Sequence, residues 1–206
     1  MMKTLKITLA VVIAVFSVLP LASCSVKMTE EEARAIVSPL IEKSFEINEI
    51  FFGKGLPHEE NIYDEQDEAE KEMTGTKRVR YLEVTSEDYH SIDELKEAAR
   101  EVYTESYLTA VFQIAFEGLT SSNGTVYQYA RYITALVGEL SINADAEEQS
   151  ITVGRTYDID SLKITKKTSD TVYFTLKSFV DGKEDGEILL SIKDEGAGWR
   201  LDSPTY

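Results

Sequence analysis

Few side chains in this sequence of 206 residues have the types and spacing that catalysis requires. Nucleophile–histidine chemistry places a base beside an activated hydroxyl or thiol. The chain has two histidines, His58 and His90, and no Gly-x-Ser-x-Gly motif. His58 follows Pro57 in an acidic stretch and His90 precedes a helix-capping serine, so a surface or capping role is the simpler interpretation of both.

The carboxylates give no stronger indication of catalysis or metal binding. Glu83 and Glu139 have apolar neighbours in the sequence. Burial among apolar residues raises the pKa of a carboxyl, as general acid catalysis requires. A glutamate that faces water from a strand has the same neighbours, so the pattern does not indicate catalysis. The acidic residues at 158–160 and 181–187 do not reproduce the spacing of a calcium loop. Gly53-Lys54-Gly55 lacks the rest of a phosphate-binding loop. We therefore predict a protein without catalytic activity, metal or cofactor.

The first 24 residues have the pattern of a secreted lipoprotein leader. Residues 1–6 are cationic, residues 7–19 are apolar except for Thr8 and Ser17, and Leu21-Ala22-Ser23-Cys24 resembles a bacterial lipobox. The apolar run is shorter than the roughly 20 residues of a membrane span. We predict a signal peptide over 1–23, a lipid anchor on Cys24, a short tether over 24–28, and a location on the outer face of the bacterial cytoplasmic membrane.

Charge and cysteine content exclude several classes of function. Without Lys3 and Lys6 of the leader, the remaining chain has 19 basic and 37 acidic residues, which gives a net charge of −18. Such a chain has no general affinity for nucleic acid, because that affinity comes from Lys and Arg on phosphates. If Cys24 carries lipid, the folded part contains no cysteine, which excludes disulfides and cysteine-ligated zinc.

The N-terminal half predicts helices. Thr29 and Glu32 form a capping box before an apolar stripe that extends to Phe52, with Pro39 as a possible kink site and Gly53 at the end. Ser91 and Glu94 open a second helix in the same way, and Thr104 opens a third that Gly118 ends.

The remaining sequence predicts strands and one long acidic loop. Residues 57–77 carry eight carboxylates and form the loop, and residues 78–84 suit a short strand. Residues 126–142 match both helix and strand, and their Tyr, Val, Ile and Thr content favours strands. From Tyr157 apolar residues alternate, as they do in antiparallel strands. We predict a single α+β domain over 29–206, in which N-terminal helices cover a curved antiparallel sheet formed mostly by the C-terminal half.

Two surfaces are candidates for binding. The acidic loop offers carboxylates to a basic partner, and the candidate residues are Glu59, Glu60, Asp64, Glu65, Asp67 and Glu68. Alternatively, a cone-shaped sheet encloses a small-molecule pocket with convergent polar groups. The candidate residues for that pocket are Tyr129, Tyr132, Glu139 and His90, with Tyr127 and Arg131 beside them.

Three segments carry a family resemblance. They are Gly53-Lys54-Gly55-Leu56-Pro57, residues 102–107 (Val-Tyr-Thr-Glu-Ser-Tyr) and residues 198–206 (Gly-Trp-Arg-Leu-Asp-Ser-Pro-Thr-Tyr). With the order of helices before strands, the chain resembles IseA-type inhibitors of cell-wall DL-endopeptidases and, more loosely, cystatin-like and nuclear-transport-factor-two-like folds. The resemblance implies a non-enzymatic envelope protein that restrains peptidoglycan hydrolases, and it brings no catalytic residues.

The two hypotheses differ in what the domain binds. The first is a lipid-anchored binding protein, or an inhibitor of cell-wall endopeptidases, with a basic hydrolase as its partner. The alternative is a small-molecule-binding or enzymatic cystatin-like domain of the envelope. A strongly acidic protein meets basic enzymes faster and is repelled by anionic wall polymers, so its charge favours the first hypothesis.

Overall fold

The computed structural model describes residues 25–60 and 79–206, in which helices come before most of the strands. The helical elements are α1 (Glu30–Phe52), α2 (Ile92–Val102), α3 (Glu105–Phe112) and a π-helical turn (Gln113–Glu117). The strands are β1 (Tyr81–Glu83), β2 (Leu119–Thr120), β3 (Val126–Gln128), β4 (Tyr132–Thr134), β5 (Leu140–Asn143), β6 (Arg155–Lys167), β7 (Thr171–Val180), β8 (Lys183–Asp194) and β9 (Trp199–Leu201). The predicted α+β class is confirmed.

The helices begin where the sequence predicts. Thr29 and Ser91 each accept a hydrogen bond from the third residue of their helix, and the glutamate at that position bonds back to the cap. Because these bonds satisfy amide groups that have no partner within the helix, they define each start locally. Helix α1 continues through Pro39, and Gly53 caps it by donating to the carbonyls of Asn48 and Glu49.

The ambiguous segment is extended, as its composition favoured. Residues 126–142 contain β3, β4 and the start of β5. Strand β5 pairs antiparallel with β1 and β4 and forms a three-stranded sheet in the order β1-β5-β4. Strands β2 and β3 form a separate hairpin, and β6 to β9 form a four-stranded antiparallel meander. The strands thus divide among three sheets, and the largest lies in the C-terminal half.

The beginning of the acidic loop is bound to the fold. The Thr85 amide donates to the Pro57 carbonyl at 2.8 Å, and the Glu59 amide donates to the Glu83 carbonyl at 3.0 Å. His58 is bridged to Val84 in the same antiparallel arrangement. The predicted loop therefore begins along the end of β1, while its residues 61–77 lie outside the described part of the chain.

A buried polar network lies where α1, the end of α2 and the C-terminal segment (residues 202–206) meet. The hydroxyl of Thr205, which is fully buried, accepts from Asn48 Nδ2 at 2.8 Å, contacts the Tyr103 hydroxyl at 2.8 Å and donates to Ser44 Oγ at 2.8 Å. The Tyr103 hydroxyl also donates to Asn48 Oδ1 at 2.7 Å. Burial raises the pKa of Tyr103 to about 12, so the phenol stays protonated and can donate.

A second anchor holds the end of α1 on the three-stranded sheet. Arg131 is 7% exposed, and its Nε donates to the Ile50 carbonyl at 2.9 Å while Nη2 donates to the Gly53 carbonyl. The buried Tyr132 hydroxyl donates to the same Ile50 carbonyl at 2.9 Å and accepts from the Leu56 amide at 3.0 Å. A cation at this position also complements the negative end of the helix dipole.

We expect Thr205→Val to lower the free energy of unfolding by about 1–3 kcal/mol, because it leaves the buried groups of Asn48, Tyr103 and Ser44 without their shared partner. The control is Thr165→Val, an exposed β6 threonine that bonds to the Tyr173 carbonyl, with an expected change below about 0.5 kcal/mol. Urea denaturation measures both. Equal effects of the two substitutions would contradict the importance of the network.

Candidate functional site

The described residues form a groove between α1, α2 and the loop that precedes α2. Its volume is about 350 Å³. Five carboxylates line it, from Glu46, Asp88, Glu94, Glu97 and Glu101, and Lys43 is the one basic residue of its lining. We refer to it as the acidic groove. Buried Ile47 and Val102 form its floor, so the charged groups are displayed along its rim.

The helical repeat explains how these carboxylates come together. Glu94, Glu97 and Glu101 are separated by three and four residues, so they share one face of α2. Leu95, Ala99 and Val102 take the adjacent face, which is buried in the core. Packing of that apolar face brings the glutamates opposite Lys43 and Glu46 of α1. The spacing of the three glutamates was visible in the sequence, but their position relative to α1 was not.

Local hydrogen bonds keep two of the groove carboxylates ionised. Glu94 Oε2 accepts from the His90 amide at 2.6 Å and from the Ser91 amide at 3.0 Å, and the His90 bond is the main reason why the pKa of Glu94 is lowered. Lys43 Nζ lies 2.9 Å from Glu101 Oε2 and lowers the pKa of Glu101. The acidic groove therefore keeps negative charge below the ordinary pKa of glutamate.

Tyr89 closes one side of the groove. Its hydroxyl donates to Glu46 Oε1 at 2.8 Å, and its pKa is raised by burial and by this bond to a carboxylate. The loop that carries it is fixed by Ser86 Oγ, which accepts from the amides of Asp88 and Tyr89. Tyr89 is therefore a neutral donor in the groove at every physiological pH.

The predicted partner-binding residues lie partly within the described chain. Glu59 and Glu60 are exposed beside the end of β1, and this strand leads directly into the loop of Asp88 and Tyr89. Asp64, Glu65, Asp67 and Glu68 lie outside the described residues, as does Cys24. The acidic loop and the acidic groove are therefore adjacent along the chain.

The residues predicted for a small-molecule pocket have different surroundings. Tyr132 is fully buried, with its hydroxyl bonded to the backbone of α1 and Leu56. Tyr129 is 51% exposed, and Glu139 is exposed next to the turn that follows β4. His90 is exposed, and its backbone bonds to Glu94 at the edge of the acidic groove. Arg131, predicted beside them, caps backbone carbonyls instead of facing a ligand.

The remaining candidates have local structural roles. Nδ1 of His58 lies 2.7 Å from the Glu59 carbonyl, and Glu83 is exposed at the end of β1. Asp185 pairs with Arg155 at 2.7 Å. Among the described residues, no group of three or more His, Cys, Asp and Glu side chains is arranged to hold a metal ion.

A second cleft, which sequence reasoning missed, separates α1 from the start of β6. It has a volume of about 520 Å³, and we call it the α1–β6 cleft. Phe45 and Tyr206 provide aromatic surface, and Lys54 and Arg155 provide positive charge. The carboxylate of Glu49, which also lines the cleft, is held by the Lys54 amide at 2.9 Å and by Thr152 Oγ1 at 3.3 Å. The cleft forms because the C-terminal segment packs beside α1. No local sequence motif predicts this packing.

Comparisons with known proteins leave the family open, because no protein-family model and no curated protein matches this chain. Within residues 25–60 and 79–206, no helix is both long and apolar enough to cross a membrane.

We expect Glu94→Ala to destabilise the protein at neutral pH and to lose this effect in acid. The folded pKa of Glu94 lies below its ordinary value of 4.5, so its contribution is complete above that pH and is lost as the pH falls through the folded pKa. Chemical denaturation between pH 3 and pH 7 measures the difference from wild type. The control is Glu97→Ala on the same helix, and an equal, pH-independent loss in both variants would contradict the assignment.

Proposed function

We propose that this protein is a lipid-anchored, non-enzymatic binding protein of the bacterial cell envelope, and that it binds and restrains a basic peptidoglycan endopeptidase. The observation that carries the proposal is the acidic groove, with its five carboxylates against one lysine. The lipobox-like leader supports the location, and the resemblance to IseA-type inhibitors supports the class of partner.

The arrangement of charge fits a protein partner better than a small cation. The five carboxylates come from two helices and a loop, and they are spread along a rim that presents many separate acceptors. Lysine and arginine side chains of a partner reach such acceptors one by one, and the attraction accelerates encounter. Glu59 and Glu60, at the start of the acidic loop, are exposed beside the end of β1, which leads into the loop that carries Asp88.

We expect Asp88→Lys with Glu97→Lys to weaken binding to a basic cell-wall endopeptidase by about tenfold or more, which corresponds to 1.4 kcal/mol. Each substitution replaces attraction by repulsion at the partner surface. Calorimetry and the rate of peptidoglycan digestion measure the effect. Wild-type binding should also weaken as salt rises from about 0.05 M to about 0.5 M, since ions screen exposed charges.

The matched control for charge is Glu184→Lys with Glu187→Lys, which makes the same change at exposed positions of β8. It should retain most of the affinity. Loss of binding in both double variants would indicate a response to net charge alone. Absence of inhibition across a panel of envelope endopeptidases at low salt would eliminate the proposed function.

A second candidate function is the binding of a small aromatic anion, and the α1–β6 cleft favours it. Aromatic side chains in clefts provide most of the contact surface for such ligands, and a few charged groups orient them. Phe45 is 38% exposed there, next to Tyr206, whose ring lies 4.2 Å from that of Phe52. Lys54 and Arg155 bring two cationic groups to the cleft, where Arg155 also pairs with Asp185 at 2.7 Å and Lys54 with Glu147 at 3.8 Å.

Phe45→Ala should weaken the binding of anilinonaphthalene sulfonate, a fluorescent aromatic anion, several-fold, because the aromatic wall of the cleft is lost. Fluorescence titration measures the dissociation constant. Leu189→Ala, which removes a side chain that is 58% exposed on β8, should leave it unchanged. Equal binding by wild type and Phe45→Ala would remove this candidate function.

A further inference from the structure

The residues that follow Cys24 are docked on the domain. The Val26 amide donates to the Thr168 carbonyl at 2.7 Å, and Met28 is 7% exposed within the hydrophobic core. Lys167 Nζ donates to the Met28 carbonyl at 3.1 Å. The chain is therefore held from Val26 onward against the turn that joins β6 to β7, and Ser25 is the one residue between this docked segment and Cys24.

This docking leaves little freedom between an anchor and the domain. Consecutive Cα atoms lie about 3.8 Å apart, so the Cα of Cys24 stands within about 8 Å of the Cα of Val26. A lipid on Cys24 would thus hold the β6–β7 turn at the surface of the bilayer. A domain on a long flexible linker would tumble, but a domain held at this distance has a preferred face.

The face beside that turn carries a local cluster of lysines. Residues 161–168 contain three lysines, Lys163, Lys166 and Lys167, and no carboxylate, in a chain of net charge −16. All three are exposed, and Lys27 is exposed in the docked segment. Anionic headgroups attract lysines that lie close to the membrane surface.

Three acidic neighbours of this face are engaged in local bonds, and a fourth, Glu31, is exposed in the first turn of α1. Glu30 accepts from the Ile164 amide at 3.3 Å and pairs with Arg34 at 3.6 Å, while Glu32 belongs to the capping box of α1. Asp170 accepts from the hydroxyls of Thr168 and Thr171 within the turn. These three carboxylates have protein partners. Lys163 and Lys166 are exposed, and Lys166 Nζ lies 5.4 Å from the centre of the Tyr173 ring.

We propose that the β6–β7 turn, with Lys27, Lys163, Lys166 and Lys167, is a membrane-contact surface that rests on anionic headgroups and orients the domain. The inference rests on the proposed lipid anchor at Cys24. Helix α1 begins beside this surface and spans about 33 Å over its 23 residues. Because the acidic groove and the acidic loop are repelled by the same headgroups, the domain stands with its acidic end away from the bilayer, where a partner in the cell wall can reach it.

The test uses the full lipidated protein in phosphatidylglycerol-containing vesicles with a quencher on the headgroups. The acylated Cys24 thiol does not react with maleimide, so an engineered cysteine carries the dye alone. Ser169→Cys labels the exposed β6–β7 turn, and Ser122→Cys labels the exposed tip between β2 and β3. We expect several-fold stronger quenching at position 169 than at 122. Equal quenching would overturn the proposal.

A charge variant distinguishes the contribution of the lysines to orientation from that of the tether. Lys163→Glu with Lys166→Glu should reduce the difference in quenching several-fold, whereas Lys177→Glu with Lys183→Glu, the same change at other exposed positions, should preserve it. An unchanged difference in the first variant would overturn the role of the lysines. Palmitate labelling and vesicle flotation of wild type and Cys24→Ala test the anchor by themselves. Equal labelling of the two would remove the anchor, and the oriented surface with it.

Discussion

The hydroxyl of Thr205 joins α1, the end of α2 and the C-terminal segment, and the rest of the fold is arranged around this contact. It bonds to Ser44 and Asn48 of α1 and to Tyr103 at the end of α2, and the Tyr157 hydroxyl of β6 donates to the Thr205 carbonyl at 3.1 Å. Buried polar groups without partners are costly, so this network is satisfied only when all four segments are in place. It therefore specifies one arrangement of helices and strands where apolar packing alone would tolerate several.

Both clefts depend on that arrangement. The C-terminal segment, held by Thr205, brings Tyr206 beside α1 and so creates one wall of the α1–β6 cleft. Helix α2 is followed directly by Tyr103, so the bonds of Tyr103 to Asn48 hold α2 along α1 and keep the acidic groove at its width. Surface sites of this kind are properties of the packing between elements, even though most of the charged groups in them are exposed.

The two ends of α1 have different surroundings. Its first turn lies beside the docked residues 26–28 and the lysines of β6, and its last turn is capped by Arg131 next to the start of the acidic loop. A charged protein near a charged surface takes the orientation that lowers repulsion. The proposed anchor thus lies at one end of α1, and the acidic loop begins at the other.

The sequence by itself determined the features that arise from neighbours within four residues. These are the capping boxes at Thr29 and Ser91, the alternation of Val172, Phe174 and Leu176, and the leader-like pattern before Cys24. It also determined the α+β class, because hydrophobic periodicity assigns each element a buried face. Strand composition correctly favoured extended structure over 126–142.

Only the tertiary structure decided where the candidate sites lie. Asn48 and Thr205 are 157 residues apart in the sequence, and Arg131 is 81 residues from its partner Ile50 in α1. A local sequence pattern therefore predicts neither contact. Tyr132 and Arg131 were predicted to lie near a ligand pocket. The hydroxyl and guanidinium groups that bind ligands are the same donors that cap helix ends, so residue type alone does not distinguish the two roles. Whether such a group faces a ligand or a backbone carbonyl depends on which element packs over it, and that is a property of the whole fold.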